Sequence, residues 1–141
     1  MRGASCLVAA ALLVQAAAAF VDPEAQQILG QGKWALITEN LSPETAEKAR
    51  ACEGTSISFG FTVSEVQLIT YPNGSPPSGP PLFFSKLTGA RDAPFLVFKL
   101  YANETDAKPA LVYSYDPSVK ALMALGEDGD GAALYVLCKT P

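Results

Sequence analysis

Apolar and polar residues alternate with a period of two along most of the chain that follows Gly54. In the segment 56–61 every second residue is a large apolar one, which is typical of a strand with one buried face. Similar runs recur at short, regular intervals, and this spacing indicates an all-β sandwich or barrel. The pattern predicts about eight strands, at 33–39, 56–61, 65–71, 82–87, 95–101, 111–115, 119–125 and 132–139.

Short polar segments separate these predicted strands. Five prolines fall within Tyr71–Pro81, and because proline lacks a backbone N–H, this segment is expected to be an exposed loop without regular pairing. Further turns are expected at 88–94, 103–108 and 116–118, and a tight acidic turn is expected at 127–131.

Two short helices are predicted among the strands. Each begins with a capping residue, a proline and an acid, in Asp22-Pro23-Glu24 and in Ser42-Pro43-Glu44. The first ends at Gly30, just before the first strand, and the second runs over 45–51, between the first two strands. A curved sheet with this second helix on one face, as in α+β proteins of the cystatin type, is the alternative to an all-β architecture.

Residues 1–19 are typical of a secretory signal peptide. Arg2 supplies the positive charge, Leu7–Val14 is the apolar core, and Ala17–Ala19 is a small-residue cleavage site. The apolar stretch is shorter than the roughly 20 residues of a membrane-spanning helix. We therefore expect a single mature domain over 20–141 without a membrane anchor, exported to the extracellular space or to a bacterial periplasm.

Cleavage of this peptide would remove Cys6 and leave Cys52 and Cys138. Two cysteines in an exported chain usually pair, because that compartment is oxidising. We therefore predict a Cys52–Cys138 disulfide that encloses most of the domain, with two free buried thiols as the alternative.

All three asparagines of the chain stand in Asn-x-Ser/Thr sequences, at Asn40, Asn73 and Asn103. This is the acceptor pattern for N-glycosylation in a eukaryotic secreted protein. Asparagine and serine also occur together at turns, so a bacterial origin fits the same pattern. Pro43 and Pro76 directly follow two of the three sequons and make glycan transfer less favourable there.

The composition argues against several kinds of chemistry. The chain has no histidine, which removes His-based triads, the usual proton shuttle and most catalytic zinc sites. Its acids fall at predicted caps and turns, and it has no phosphate-binding glycine loop or nucleophile elbow. We predict that the protein is not an enzyme and that it holds no metal and no cofactor.

The charge of the chain bears on its partners. Without Arg2, nine basic residues stand against 14 acidic ones, a net charge of −5, and no basic run is present. Nucleic acid and anionic lipid surfaces are therefore not expected as main partners.

The first strand opens with Gly32-Lys33-Trp34, which contains the only tryptophan of the chain. A Gly-x-Trp motif after a short helix, at the start of about eight strands in a secreted chain, resembles the lipocalin and wider calycin group. In that group the tryptophan closes one end of the barrel, so the resemblance implies this position for Trp34. The mature length is similar to that of compact members, which include avidin-like biotin binders and small bacterial inhibitors of secreted metalloproteases.

The resemblance implies an interior that holds a small apolar molecule. Eight-stranded barrels are just wide enough either to fill with side chains or to hold one such ligand. The candidate lining consists of inward-facing aromatic residues: Trp34, Phe59, Phe61, Phe98, Tyr113 and Tyr135. The alternative is a protein-interaction module, such as a secreted protease inhibitor or an envelope or host-interaction factor, acting through the segment before Gly32 or the loop Pro72–Pro81.

Overall fold

The computed structural model describes residues 21–38, 40, 42–77, 79–126 and 131–139. Within them the chain forms two seven-residue α-helices and nine β-strands. In chain order these are α1 Pro23–Leu29, β1 Trp34–Ile37, α2 Pro43–Ala49, β2 Ser56–Phe61, β3 Val66–Tyr71, β4 Leu82–Phe84, β5 Lys86–Asp92, β6 Phe95–Tyr101, β7 Leu111–Asp116, β8 Ala121–Leu125 and β9 Gly131–Leu137. The predicted signal peptide and most of the predicted acidic turn, residues 127–130, lie outside the described residues.

The nine strands form one antiparallel sheet that nearly closes into a barrel. The strand order is β4-β3-β2-β1-β9-β8-β7-β6-β5, so the first and last strands of the chain pair with each other. Ser85 alone separates β4 from β5, the two strands at the ends of this order, and its N–H donates to the Tyr101 carbonyl at 2.9 Å. The all-β barrel prediction is confirmed, and the count is nine rather than about eight because Ser85 interrupts one strand.

One predicted turn is wrong. The segment 88–94 was expected to turn the chain, yet β5 continues to Asp92 and only Ala93 and Pro94 form the turn. Each residue from Thr88 to Asp92 has a partner on β6. The polar, glycine-containing local sequence suggests a turn, but pairing with the apolar β6 decides the conformation.

Both helices begin at the predicted caps. The Asp22 carboxylate accepts from the Ala25 N–H at 2.9 Å, and the Ser42 hydroxyl accepts from the Thr45 N–H at 3.1 Å. The Thr45 hydroxyl in turn accepts from the Ser42 N–H at 2.8 Å, which completes a capping box. Helices of this length are marginal in water, so each persists through its contacts with the barrel.

Helix α1 covers one end of the barrel, which we name the closed end. Here β2, β5, β7 and β9 finish. Val21 bridges to Leu87 of β5, and the Asp22 N–H donates to the Leu87 carbonyl at 2.9 Å. Ala25 and Leu29 are fully buried in the main core. The helix is thus an integral part of the core and not a free N-terminal arm.

Gly89 on β5 provides the room for this helix. A Cβ atom at Gly89 would lie 2.9 Å from the Asp22 carboxylate and 3.7 Å from the Cβ of Ala25. A side chain at this position would therefore displace the start of α1. The close packing of α1 on β5 therefore depends on glycine at position 89.

Helix α2 lies on the outside of the barrel over the seam between the first and last strands. Its apolar side joins a second cluster of buried residues on outward faces: Ala35, Ile37, Ala46, Ala121 and Val136. The residues that alternate with these along the strands face the interior.

The predicted disulfide between Cys52 and Cys138 is present and fixes the end of α2 to the end of β9. Backbone hydrogen bonds flank it: the Cys138 N–H donates to the Lys33 carbonyl at 2.9 Å, and the Lys139 N–H donates to the Arg50 carbonyl at 2.8 Å. The cross-link thereby holds the outer helix against β1 and β9.

Candidate functional site

The six aromatic residues predicted to line a cavity lie on the inner face of the barrel. Trp34, Phe59, Phe98 and Tyr113 are buried, whereas Phe61 and Tyr135 are half-buried and pack against the same core. They belong to one core cluster but lie at different depths of the barrel. Their roles therefore separate into core and candidate lining.

Trp34 belongs to the closed end. Its side chain is fully buried, and the indole N–H donates to the Leu29 carbonyl at the last residue of α1, at 3.0 Å. Its ring meets Tyr115 edge to face at a centroid distance of 6.0 Å. This contact joins the first strand, the N-terminal helix and the opposite wall of the barrel.

Aromatic rings also fill the middle of the barrel. Phe98 stacks on Tyr115 with ring centroids 6.2 Å apart. Phe59 and Tyr113 meet edge to face at 5.6 Å, from strands on opposite walls. The Phe59–Tyr113 pair therefore limits how deep a ligand could enter from the other end.

The opposite end, where β2, β4 and β7 begin, is lined by less deeply buried side chains. Strand register places Tyr113 opposite Ala124, Ala124 opposite Ala133, and Tyr135 opposite Leu36, all facing inward. Two methyl side chains thus lie next to the two tyrosines on the inner face, and they take up less room here than aromatic rings would. We name this the open-end recess, and its residues are Leu36, Leu111, Tyr113, Ala124, Ala133 and Tyr135.

Small residues lie at both ends of the barrel. At the closed end, Gly89 contacts the start of α1 and is itself exposed. Ala124 and Ala133 are both half-buried and not fully enclosed. No helix among the described residues covers them, since α1 lies at the closed end and α2 outside the barrel.

Tyr113 lies beside Ala124 on the inner face. Tyr113 is only 3% exposed, and its hydroxyl has no hydrogen-bond partner among the described residues. Within the described residues no side-chain polar atom is both enclosed and unpaired. A buried hydroxyl is stable only with a hydrogen-bond partner.

Both phenols of the recess remain protonated at neutral pH. Burial raises the pKa of Tyr113 far above its ordinary value, and the nearby Tyr135 raises it further. Burial also raises the pKa of Tyr135. The recess therefore offers two neutral hydroxyl groups, each able to donate one hydrogen bond.

A separate apolar feature lies beside the proline-rich loop, at the start of β4. Leu82 and Phe83 are 59% and 52% exposed. The described loop residues, 72–77 and 79–81, are mostly exposed. The other predicted contact region, before Gly32, is largely docked on the barrel from Val21 onward.

The carboxylates whose contacts are described stabilise a helix start, a turn and an ion pair. Asp22 caps α1, Asp116 accepts from the Ser118 N–H at 3.0 Å, and Glu24 pairs with Arg91 at 3.3 Å. Among the described residues no group of three or more His, Cys, Asp or Glu is placed to hold a metal ion. The absence of enzyme activity stays a prediction.

Comparison with known proteins adds no relative. No protein-family model matches the chain, and neither the curated proteins nor the solved structures give a significant match. The resemblance to lipocalins therefore stays a prediction. No helix among the described residues is long and apolar enough to cross a membrane.

Proposed function

We propose that this protein is an exported, non-enzymatic binding protein that takes up a small, mainly apolar molecule in the open-end recess. The observation that carries the proposal is the nearly buried Tyr113, whose hydroxyl has no partner among the described residues and which lies beside the half-buried Ala124. The Gly-x-Trp motif at the start of β1 and the nearly closed antiparallel barrel support a lipocalin-like assignment.

The geometry limits the size and character of the ligand. Leu36, Leu111, Ala124 and Ala133 give the recess aliphatic walls, so burial of apolar ligand surface supplies the binding energy. The Phe59–Tyr113 pair forms its floor. A ligand would therefore occupy the upper part of the barrel and would be smaller than one that fills a whole barrel.

Filling the recess from within is expected to abolish binding. Ala124→Phe places a ring between Tyr113 and Tyr135, so the affinity for an apolar fluorescent probe such as N-phenyl-1-naphthylamine should fall at least about tenfold, the loss that a 1.4 kcal/mol change causes. The matched control is Met123→Phe, because Met123 is the neighbouring residue, 40% exposed on the outer face. Titration with the probe, followed by its fluorescence, measures the affinity of each variant.

Two results would contradict this proposal. One is a wild-type protein that binds no apolar probe, and the other is an Ala124→Phe variant that folds and binds as tightly as the control. Circular dichroism and unfolding curves establish that both variants keep the fold. The first result would favour the second candidate function, a protein-interaction module acting through Leu82, Phe83 and the adjoining loop.

Export and glycosylation belong to the same proposal. The signal-peptide pattern of residues 1–19 and the Cys52–Cys138 disulfide support export to an oxidising compartment. The three sequon asparagines are exposed, and each lies in a connection at the open end of the barrel. Their positions are compatible with glycans around the recess.

Asn103 is expected to be the main glycan acceptor. Its sequon ends in threonine and no proline follows, unlike the sequons of Asn40 and Asn73. Secretion from a eukaryotic host should yield a chain that begins near Phe20 and loses mass on treatment with an N-glycosidase. Asn103→Gln should remove most of that shift, and Asn40→Gln should not. Secreted protein with the mass of the bare mature chain would refute the assignment.

A further inference from the structure

We infer that a groove on the outside of the barrel binds a short acidic segment of a partner protein, whose carboxylates the side chains of Arg50, Lys120 and Lys139 recognise. The groove lies between α2 and the connection from β7 to β8. It is a second site, separate from the open-end recess, and does not depend on the proposed function.

We name this surface the α2 groove. It consists of two adjoining hollows, one of about 590 Å³ along α2 and one of about 620 Å³ beside the disulfide, and Arg50 and Val119 line both. Val119 is 44% exposed and, with the buried Val136, gives the groove an apolar wall. The charged residues that line it are Glu47, Arg50, Lys120 and Lys139.

The α2 groove is positive although the chain as a whole is acidic. Its three basic residues come from the end of α2, from the β7–β8 connection and from the segment after β9, so the sequence shows no basic run. With Glu47 as the acid, the lining carries a net charge of +2, against −5 for the chain without Arg2. Asp116 is not a lining residue, and its carboxylate accepts hydrogen bonds within the turn that follows β7.

Backbone contacts fix the three basic residues relative to one another. The Lys139 N–H donates to the Arg50 carbonyl at 2.8 Å, next to the disulfide, and the Leu137 N–H donates to the Lys120 carbonyl at 3.2 Å. The Arg50 guanidinium donates to the Val119 carbonyl at 3.0 Å, which joins α2 to the β7–β8 connection. A ligand therefore meets segments that are already ordered, and its binding does not bear that entropic cost.

Glu47 shows that a carboxylate fits between these cations. It contacts the Lys139 ammonium and lies 3.8 Å from the Arg50 guanidinium. The hydrogen bond and the charge of Lys139, together with the charge of Arg50, lower the pKa of Glu47, so it is ionised at neutral pH. Glu47 therefore competes with the carboxylates of a ligand, while Lys120 adds a further positive charge.

The dimensions favour a short peptide segment. The seven residues of α2 are about 10 Å long, which an extended peptide of about three or four residues spans. Val119 offers an apolar contact among the charges. A membrane or a nucleic acid would bring negative charge against the whole acidic surface and be repelled, whereas a short segment approaches only the groove.

The test uses the capped peptide Glu-Leu-Asp-Glu with an uncharged dye, titrated with the mature protein at low salt and followed by fluorescence anisotropy. The peptide Gln-Leu-Asn-Gln is the uncharged comparison. The variants are Lys120→Gln and Glu47→Gln, and the matched control is Lys99→Gln. Lys99 is exposed on β6, so its substitution changes the net charge equally but leaves the groove intact.

The wild type should bind the acidic peptide more tightly than the uncharged one, and added salt should weaken this binding. Lys120→Gln should lower the affinity about two- to fivefold, the contribution of an exposed ion pair. Glu47→Gln should raise it by a similar factor, because the competing carboxylate is gone. Lys99→Gln should bind like the wild type.

Three results would overturn the inference. They are equal binding of the two peptides, equal affinities in Lys120→Gln and Lys99→Gln, and a lower affinity in Glu47→Gln. Cosedimentation with phosphatidylserine vesicles that decreases in Lys120→Gln would assign the groove to lipid and would also overturn it. Binding of N-phenyl-1-naphthylamine should be the same in all these variants, so the outcome is independent of the proposed function.

Discussion

Replacing Cys52 and Cys138 together by serine is expected to lower the free energy of unfolding by about 4–5 kcal/mol. The two cysteines are 86 residues apart in sequence, so the cross-link removes much of the conformational freedom of the unfolded chain. It also fastens α2 over the outer cluster around Ala46 and Val136. A domain of this size has only about 5–15 kcal/mol of stability, so the loss is a large part of the total.

Guanidinium unfolding followed by circular dichroism measures this effect. The wild-type protein in reducing buffer should show the same loss as the double variant, and each single variant should match the double one. Reduction should have no further effect on the double variant. A change below about 1 kcal/mol would contradict the prediction and would mean that local packing alone holds α2.

Trp34→Ala is expected to cost about 3–5 kcal/mol, the usual range for removing a large buried aromatic side chain. Trp34 is fully buried, contacts Tyr115 edge to face, and donates to the Leu29 carbonyl. The substitution therefore opens a cavity under α1 and leaves a carbonyl at the end of that helix without its partner. We expect α1 to detach before the rest of the barrel unfolds.

Trp34→Phe separates the two contributions. It keeps most of the ring but removes the indole N–H, and it should cost less, about 1–3 kcal/mol. Phe95→Ala is the matched control, because Phe95 is a large aromatic residue that is 40% exposed, and it should cost much less than Trp34→Ala. Equal losses at Trp34 and Phe95 would show that the closed end does not depend on the tryptophan.

Much of the architecture follows from local patterns. Alternation of apolar and polar residues identifies β2, β3, β6 and β7. Each of these strands buries one face, and successive residues of a strand point to opposite faces. The two helix starts follow from Asp22 and Ser42 because capping involves residues only three apart. The disulfide follows from the number of cysteines, since only Cys52 and Cys138 remain after the predicted cleavage.

The second half of β5 shows where local patterns fail. Thr88–Asp92 contains polar residues and a glycine, which by themselves favour a turn. In the structure, Gly89 is the residue over which α1 sits, and Asp22 of that helix is 67 residues earlier in the chain. No window of neighbouring residues contains that contact, so the sequence suggests a turn where the barrel requires a strand.

The candidate site was only partly visible in the sequence. Tyr113 and Tyr135 were predicted as lining because aromatic residues at alternating positions are conspicuous. Ala124 and Ala133 were not predicted, because an alanine in a strand does not indicate which residues lie opposite it. The pairing of β7 with β8 and of β8 with β9 places these alanines between the tyrosines.

The sequence by itself determined most strand positions, both helix caps, the disulfide pair and the motif around Trp34, because each depends on neighbouring residues or on simple counting. The tertiary structure decided that β1 pairs with β9, that α1 closes one end, and that the recess lies at the other. These features depend on contacts between distant segments, whose register is set only when the whole sheet curls and buries its inner face. For Trp34 this means a place under α1 in the core, and for Tyr113 a place beside Ala124 on the inner face.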